Sequence, residues 1–254
     1  TLAEPGEYQA PAGVSWFFSG AEGVIGLTAA PLYRGDCRYS WEFYDGGAVW
    51  TCQRGGLTAR TGLALARLGS GELRRAELHW DGEGVLEGEL LCYLEPVLCG
   101  ERDHLAHPAF SKLFVESRAI PGGVSFRRRP RGAEEHPVLA ALWDGEGSTF
   151  TTSRQAALGR GGLRALAGGG PGPLKGETGA VLDPCLMVRL PVRLRPGESC
   201  ALRLALGVSD RLDAAADTAQ RLLEGREEPG GMLAPIAQRL GLDQVQALGA
   251  FALL

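Results

Sequence analysis

The sequence predicts a mainly β domain followed by helices, and three observations carry that prediction. Apolar, β-branched and aromatic runs of strand length recur from about Val14 to Ser209, broken by turn-forming residues. The 38 glycines and 15 prolines fall between these runs, as many short strands require. After Asp210 the apolar period becomes that of a helix. At 254 residues, 44% hydrophobic and 22% charged, the chain has ordinary globular values and can bury a substantial core.

Taken in chain order, FYDGGAVW (43–50), LHWDGEGVLEGELLCYL (78–94) and LWDGEGSTFTT (142–152) each set Asp-Gly between candidate strands. Asp and Gly tolerate the positive φ of a tight turn, so Asp45-Gly46, Asp81-Gly82 and Asp144-Gly145 are predicted hairpin tips. The stretch 176–210 predicts a further hairpin, two long strands joined at Pro196-Gly197. In its first strand Leu186, Val188, Leu190, Val192 and Leu194 alternate with Met187, Arg189, Pro191, Arg193 and Arg195, predicting one packed and one wetted face. In its second, Leu202, Leu204 and Leu206 alternate with Arg203 and Ala205. RALAGGGPGPLKGE (164–177) is too rich in glycine for regular structure; it lacks the full phosphate-loop pattern and predicts a surface loop.

Leu212, Ala215, Ala216, Ala219, Leu222 and Leu223 predict a helix with Ser209 or Asp210 as N-cap and Gly225 as stop. Beyond a REEPGG linker, Leu233, Ile236, Ala237 and Leu240 predict a short helix, and Asp243 caps another that runs into ALGAFALL.

The net charge of −4 gives no general attraction to nucleic acid or anionic lipid, so small-molecule or protein partners are expected and nucleic acid is not. No run reaches the roughly 18 apolar residues of a spanning helix. The opening TLAEPGEYQAPAG has neither the basic nor the apolar part of a secretion signal, which predicts a cytoplasmic chain without its own anchor. The six cysteines form no C-x-x-C pair and none adjoins a histidine, so no metal is expected and buried free thiols are.

Candidate chemistry is sparse. WDGEG occurs twice, at Trp80 and Trp143, and paired acids beside an aromatic suit sugar chemistry. Both acids fall in the predicted turn, where solvated charge is usual, so the turn reading is preferred. FRRRPR (126–131) could engage phosphate, but Pro130 stops it and Glu134 and Glu135 answer its charge. His104 and His107 are three apart, yet Pro108 interrupts a helix through them and no further ligand completes a metal set. Phe110, Lys112 and Phe114 alternate, predicting the start of a strand.

Several segments in order carry a family resemblance: LLCYLEPVLCGERDHLAHPAFSKLFVES (90–117), RRRPRGAEEHPVLAALW (127–143), TGAVLDPCLMVRLPVRLRPGES (178–199) and LGVSDRLDAAADTAQRLLE (206–224). They resemble the β-sandwich region of glycoside hydrolase family 94, nearest its cyclic β-1,2-glucan synthase branch, where AHPAFSKLFV and GAVLDP have near-identical counterparts. IAQRLGLDQVQALGAFALL (236–254) resembles the helical linker that follows. The likeness runs from about Gly71 to the C-terminus and is less clear before Ser70.

The resemblance implies a two-sheet antiparallel β-supersandwich of galactose-mutarotase type over 1–209 and a helical linker over 210–254 leading to an (α/α)-barrel catalytic domain. In the family that barrel carries the general acid and most of the phosphate site, so no catalytic residue and no cofactor is expected within this chain. The implied partners are a β-glucan or gluco-oligosaccharide, inorganic phosphate in the parent enzyme, the barrel and a second subunit. His104, His107 and Lys112 are the candidates for supporting contacts to substrate, because the resemblance sets their stretch on the sandwich surface near the cleft. Gly179 and Asp183-Pro184 would set the turn before the long hairpin. The expected function is a non-catalytic module of a phosphorylase- or glucan-synthase-like enzyme. A free-standing carbohydrate-binding protein is the alternative, and a lyase or hydrolase using Asp81 and Asp144 ranks last.

Overall fold

The computed structural model describes residues 14–44, 46–129, 137–168 and 170–226. In chain order the elements are β1 (Val14–Gly20), β2 (Gly23–Gly26), β3 (Arg38–Tyr44), β4 (Gly47–Arg54), β5 (Leu57–Leu65), β6 (Ser70–Trp80), β7 (Leu86–Leu94), α1 (Glu101–Ala106), α2 (Pro108–Lys112), β8 (Val115–Ile120) and β9 (Gly123–Arg128). There follow β10 (Val138–Asp144), β11 (Thr149–Ser153), α3 (Arg154–Leu158), a kinked 3₁₀ run (Gly159–Gly168), β12 (Pro184–Leu194), β13 (Glu198–Ser209) and α4 (Leu212–Leu223). The helices predicted around Leu233 to Leu254 and the residue Asp45 lie outside the described residues.

The strands form a five-stranded antiparallel sheet, β11-β12-β7-β1-β2, and an eight-stranded one, β3-β4-β5-β6-β13-β10-β9-β8. Alternation explains the stacking, because each central strand directs every second side chain into the space between the sheets. Trp16, Phe18, Leu90, Cys92, Leu186, Val188 and Leu190 enter from the small sheet, and Ala59, Leu78, Val124, Phe126, Leu202 and Leu204 from the large one.

Three predicted hairpin tips prove to be corners between the sheets. The strands on either side of the remaining predicted tip, β3 and β4, are paired with each other. Asp81-Gly82 joins β6 of the large sheet to β7 of the small, Asp144-Gly145 joins β10 to β11, and Pro196-Gly197 joins β12 to β13. Two strands with one apolar face each can bury those faces in one sheet or across a sandwich, and the turn residues serve either path. In both WDGEG copies the tryptophan closes the corner. The Trp80 Nε1 donates to the Gly84 carbonyl at 3.1 Å and the Trp143 Nε1 to Ser148 Oγ at 3.2 Å, with both rings packed on the inter-sheet core. A Cβ on Gly82 would stand 2.2 Å from the Trp80 ring, so that corner needs glycine.

The predicted wetted face of β12 is exposed along its second half, at Pro191, Arg193 and Arg195, and covered only at its start. Met187 is fully buried with Phe17, Leu91 and Tyr93 beneath α3 and the 3₁₀ run, and Arg189 Nε donates to Glu89 Oε1 at 2.6 Å. Residues 164–168, predicted as loop, belong to that 3₁₀ run, whose Leu163 and Leu166 supply the cover. The helix predicted after Asp210 is α4, closed at Gly225 (φ 67°), but its N-cap position is Arg211, without a side-chain cap. It lies on the outer face of the large sheet, burying Ala219 and Leu222 against Ala205 and Leu142. Gly207 permits that approach, since a Cβ there would meet the Ala215 carbonyl at 2.0 Å.

Candidate functional site

The candidate residues gather where β7 leaves the small sheet. Leu94 is the last residue of β7, and Glu95-Pro96 turns the chain out of the ladder. The chain then makes two short helices broken at His107, with Pro108 opening the second as the proline rule predicts. The expected strand start at Phe110 is instead helix, and β8 begins only at Val115. The spacing of Phe110 and Phe114 serves an edge-to-face ring pair, centroids 5.2 Å apart, rather than one side of a strand.

Lys112, in the last turn of α2, is 2% exposed. Its ammonium contacts Glu95 Oε2 directly and lies 3.5 Å from Asp183 Oδ1. Arg154, the first residue of α3, faces the same acids, Nε 3.4 Å from Glu95 Oε1 and Nη1 3.7 Å from Asp183 Oδ2. The Tyr93 hydroxyl donates to Glu95 Oε1 at 2.5 Å. Two cations thus meet two carboxylates, which lets the group sit below the surface without net charge.

The protonation states follow from these contacts. Burial alone would raise the Glu95 carboxyl, but the Lys112 ammonium and the hydrogen bonds from Lys112 and Tyr93 outweigh it and hold it at about 2. Burial would lower Lys112, and Glu95 reverses that and raises it. His104 is pushed down by burial and by the nearby Lys112 charge, which favours the neutral ring whose Nδ1 lies 3.2 Å from Ser111 Oγ. Burial also pushes the Cys185 thiol well up, so it is no nucleophile. All six cysteines are free.

Of the three predicted residues, the structure brings His104 and Lys112 together, while His107 lies exposed at the break between the helices. Tyr93, Glu95, Arg154 and Asp183 complete the cluster and were not singled out as site residues. A signal for two of them exists: Glu95-Pro96, just past the end of β7, and Asp183-Pro184, at the start of β12, both set an acid beside a proline at a strand end, inside the segments that carry the resemblance. A second seam joins the same segments. The Ser117 N–H donates to the Gly179 carbonyl at 3.0 Å, the Gly179 N–H (φ 122°) returns to Ser117 Oγ at 3.0 Å, and Ser117 Oγ lies 2.6 Å from Thr152 Oγ1.

The other acids lie apart from this cluster. Asp144 accepts from the Arg203 backbone N–H at 3.0 Å and from its Nε at 2.6 Å, and Asp81 lies 2.9 Å from His79 Nε2. In the basic run, Arg128 lies over the Phe114 ring at 5.6 Å and Arg129 pairs with Glu116 at 3.1 Å. Among the described residues no group of three or more His, Cys, Asp or Glu side chains could hold a metal ion, and no helix is long and apolar enough to cross a membrane.

Comparisons with known proteins agree with this architecture. Cyclic β-(1,2)-glucan synthase NdvB of Rhizobium meliloti (strain 1021) is 31% identical over 170 residues, covering 63% of this chain and 6% of that protein. Among solved structures, a bacterial glucoamylase complexed with acarbose superposes with a TM-score of 0.54 at 11% identity, over 83% of this chain and 28% of its own, a likeness of fold. This chain therefore spans a small part of each relative. The model of the glycosyl hydrolase 94 supersandwich domain matches residues 21–224, from the turn after β1 to the residue that follows α4, and the chain belongs to that family.

Proposed function

We propose that this chain is the non-catalytic sandwich module of a glucan-processing enzyme, of phosphorylase or cyclic β-1,2-glucan synthase type, that shapes β-glucan access and subunit contacts. The observation that carries this reading is the charge cluster of Glu95, Lys112, Arg154 and Asp183. It uses its ionised groups on one another and fastens α1 and α2 to the sandwich, which suits a part that positions a surface and leaves bond cleavage to another domain. His104 and His107, on the segment so fastened, are the supporting contacts toward substrate, with Lys112 holding them from below. The remaining partners in this reading are an (α/α)-barrel reached through 210–254, inorganic phosphate in the parent enzyme and a second subunit, on the cytoplasmic side of a membrane-associated synthase or in the cytoplasm.

The test is turnover. The purified chain, given β-glucan and phosphate, is expected to release no sugar 1-phosphate. His107→Ala in the parent enzyme is expected to raise KM with kcat little changed, as loss of a binding contact does. Turnover by this chain unaided would overturn the reading.

A further inference from the structure

We propose that Ser199, His79 and Asp81 form a nucleophilic site for short-chain acyl esters at the corner between β6 and β7. The inference is independent of the glucan reading, since it concerns acyl transfer to a hydroxyl and no glycosidic bond.

Register sets the side chains on one face. Leu78 and Cys200 belong to or pack on the inter-sheet core, so their neighbours His79 and Ser199, a cross-strand pair, project from the outer face of the large sheet. α4 covers that face further along, at Ala205 and Leu142, and leaves Ser199 exposed. His79 Nδ1 lies 2.8 Å from Ser199 Oγ, and Nε2 of the same ring 2.9 Å from Asp81 Oδ2. The corner fixes Asp81: its N–H donates to the Gly56 carbonyl at 2.9 Å, and the next residue, Gly82, lies against the Trp80 ring.

The Asp81 carboxylate decides the tautomer. Ionised, it only accepts, so Nε2 carries the proton and Nδ1 keeps its lone pair toward the Ser199 hydroxyl, which donates. That is a general base beside a nucleophile, oriented by a third group, with the two ring nitrogens exchanged relative to the usual triad. The backbone supplies the remaining part. The Arg203 N–H points away from β6, to the Asp144 carboxylate at the end of β10. The N–H groups of Ala201 and Ser199, two and four residues back, point the same way, where β10 has ended and its pairing with β13 has stopped. An ester carbonyl approaching Ser199 Oγ from that side sets its oxygen at the Ser199 N–H, across the strand from His79. Beside it a cavity of about 430 Å³ between Arg75, Asp144, Gly145, Ala201 and Arg203 has room for a short acyl group.

The step balances with water as the only co-reactant. Ser199 Oγ bonds to the carbonyl carbon as His79 takes the hydroxyl proton; the bond to the leaving alcohol breaks, and that proton passes to the alkoxide. Water then attacks the acyl-serine, and its proton returns through His79 to Ser199 Oγ as the acid departs. With one backbone donor instead of two, turnover is expected to be slow, by roughly 10²–10³.

A fluorophosphonate, which phosphonylates a serine so activated with loss of fluoride, tests the proposal on the purified chain, with p-nitrophenyl acetate as the turnover probe. Peptide mass mapping is expected to place the label on Ser199, with none there in Ser199→Ala and labelling about 10²-fold slower in His79→Gln. Asp81 acts through the ring, so Asp81→Asn is expected to lower kcat about tenfold with KM little changed. It should also turn the Nε2–H form of His79, read by ¹⁵N NMR, into a mixture of tautomers. Circular dichroism should be unaltered in all three variants, since the side chains are exposed. Absence of label at Ser199, or a label that forms as fast in His79→Gln, would make these contacts packing of the corner and overturn the proposal. The module reading would still be judged by sugar 1-phosphate release.

Discussion

The charge cluster at Lys112 and the aromatic edge at Trp41 are opposites in their surroundings. Around Lys112 each charge faces an opposite one, although Arg154 Nε and Asp183 Oδ1 make no hydrogen bond among the described residues; the Lys112 side chain is 3% and that of Glu95 14% exposed, and the residues come from four separate stretches of chain. At Trp41 the residues come from two adjacent strands, and the Trp41 and Phe43 rings stand largely in solvent. A region that brings distant stretches together and satisfies itself contributes to stability. The segments with the strongest family resemblance converge on the first kind of region, so the most legible residues are here the fasteners of the fold.

Substitutions separate the two regions, and the largest effect belongs to the cluster. Lys112→Met leaves Glu95 and Asp183 below the surface with one cation between them, and is expected to cost roughly 3–5 kcal/mol in urea unfolding. Acid should act on the same group by titration. Glu95 has an ordinary value of 4.5 and is held at about 2 in the folded chain. A lowered folded-state value stabilises above the unfolded one and is lost as pH falls, so about 3 kcal/mol should disappear between pH 4.5 and about 2. In Glu95→Gln that part of the acid sensitivity should be absent, and an unaltered acid limb would show that other carboxylates dominate.

Smaller effects are expected further out. Asp144→Asn keeps an acceptor for the Arg203 N–H but removes a half-exposed ion pair, for an expected loss of about 0.5–1 kcal/mol by denaturant midpoint. At the aromatic edge, Phe43→Ala should change stability by no more than about 0.5 kcal/mol, because its ring is largely solvated already. A loss there comparable to that of Lys112→Met would mean that the edge is structural and would erase the contrast between the two regions.

Local chemistry was legible in the sequence where it is local in cause. The alternation of Leu186 to Leu194 announces a strand, and the strand is there. The repeat of Leu212, Ala215, Ala219 and Leu222 announces α4 and its buried stripe, and Gly225 its end. Pro108 announces the break in the histidine segment. The resemblance added the two-sheet architecture, which periodicity by itself leaves open between sandwich and barrel. Arg154 gave no signal, because its role depends on acids 59 and 29 positions away in the sequence, at Glu95 and Asp183. The aromatic edge was equally hidden. Composition counts five tryptophans, but which of them stand in solvent depends on how far one sheet extends past the other.

The sequence by itself determined the strands, α4, the positions of the corners and, through its ordered motifs, the family. Periodicity and turn chemistry act over a few residues and are written in those residues. Only the tertiary structure decided whether a corner stays in one sheet or crosses to the other, that Met187 at the start of β12 is covered from outside, and that Glu95, Lys112, Arg154 and Asp183 meet. Those outcomes depend on which apolar faces bury one another across the whole chain, and a turn such as Pro196-Gly197 reads the same on either path.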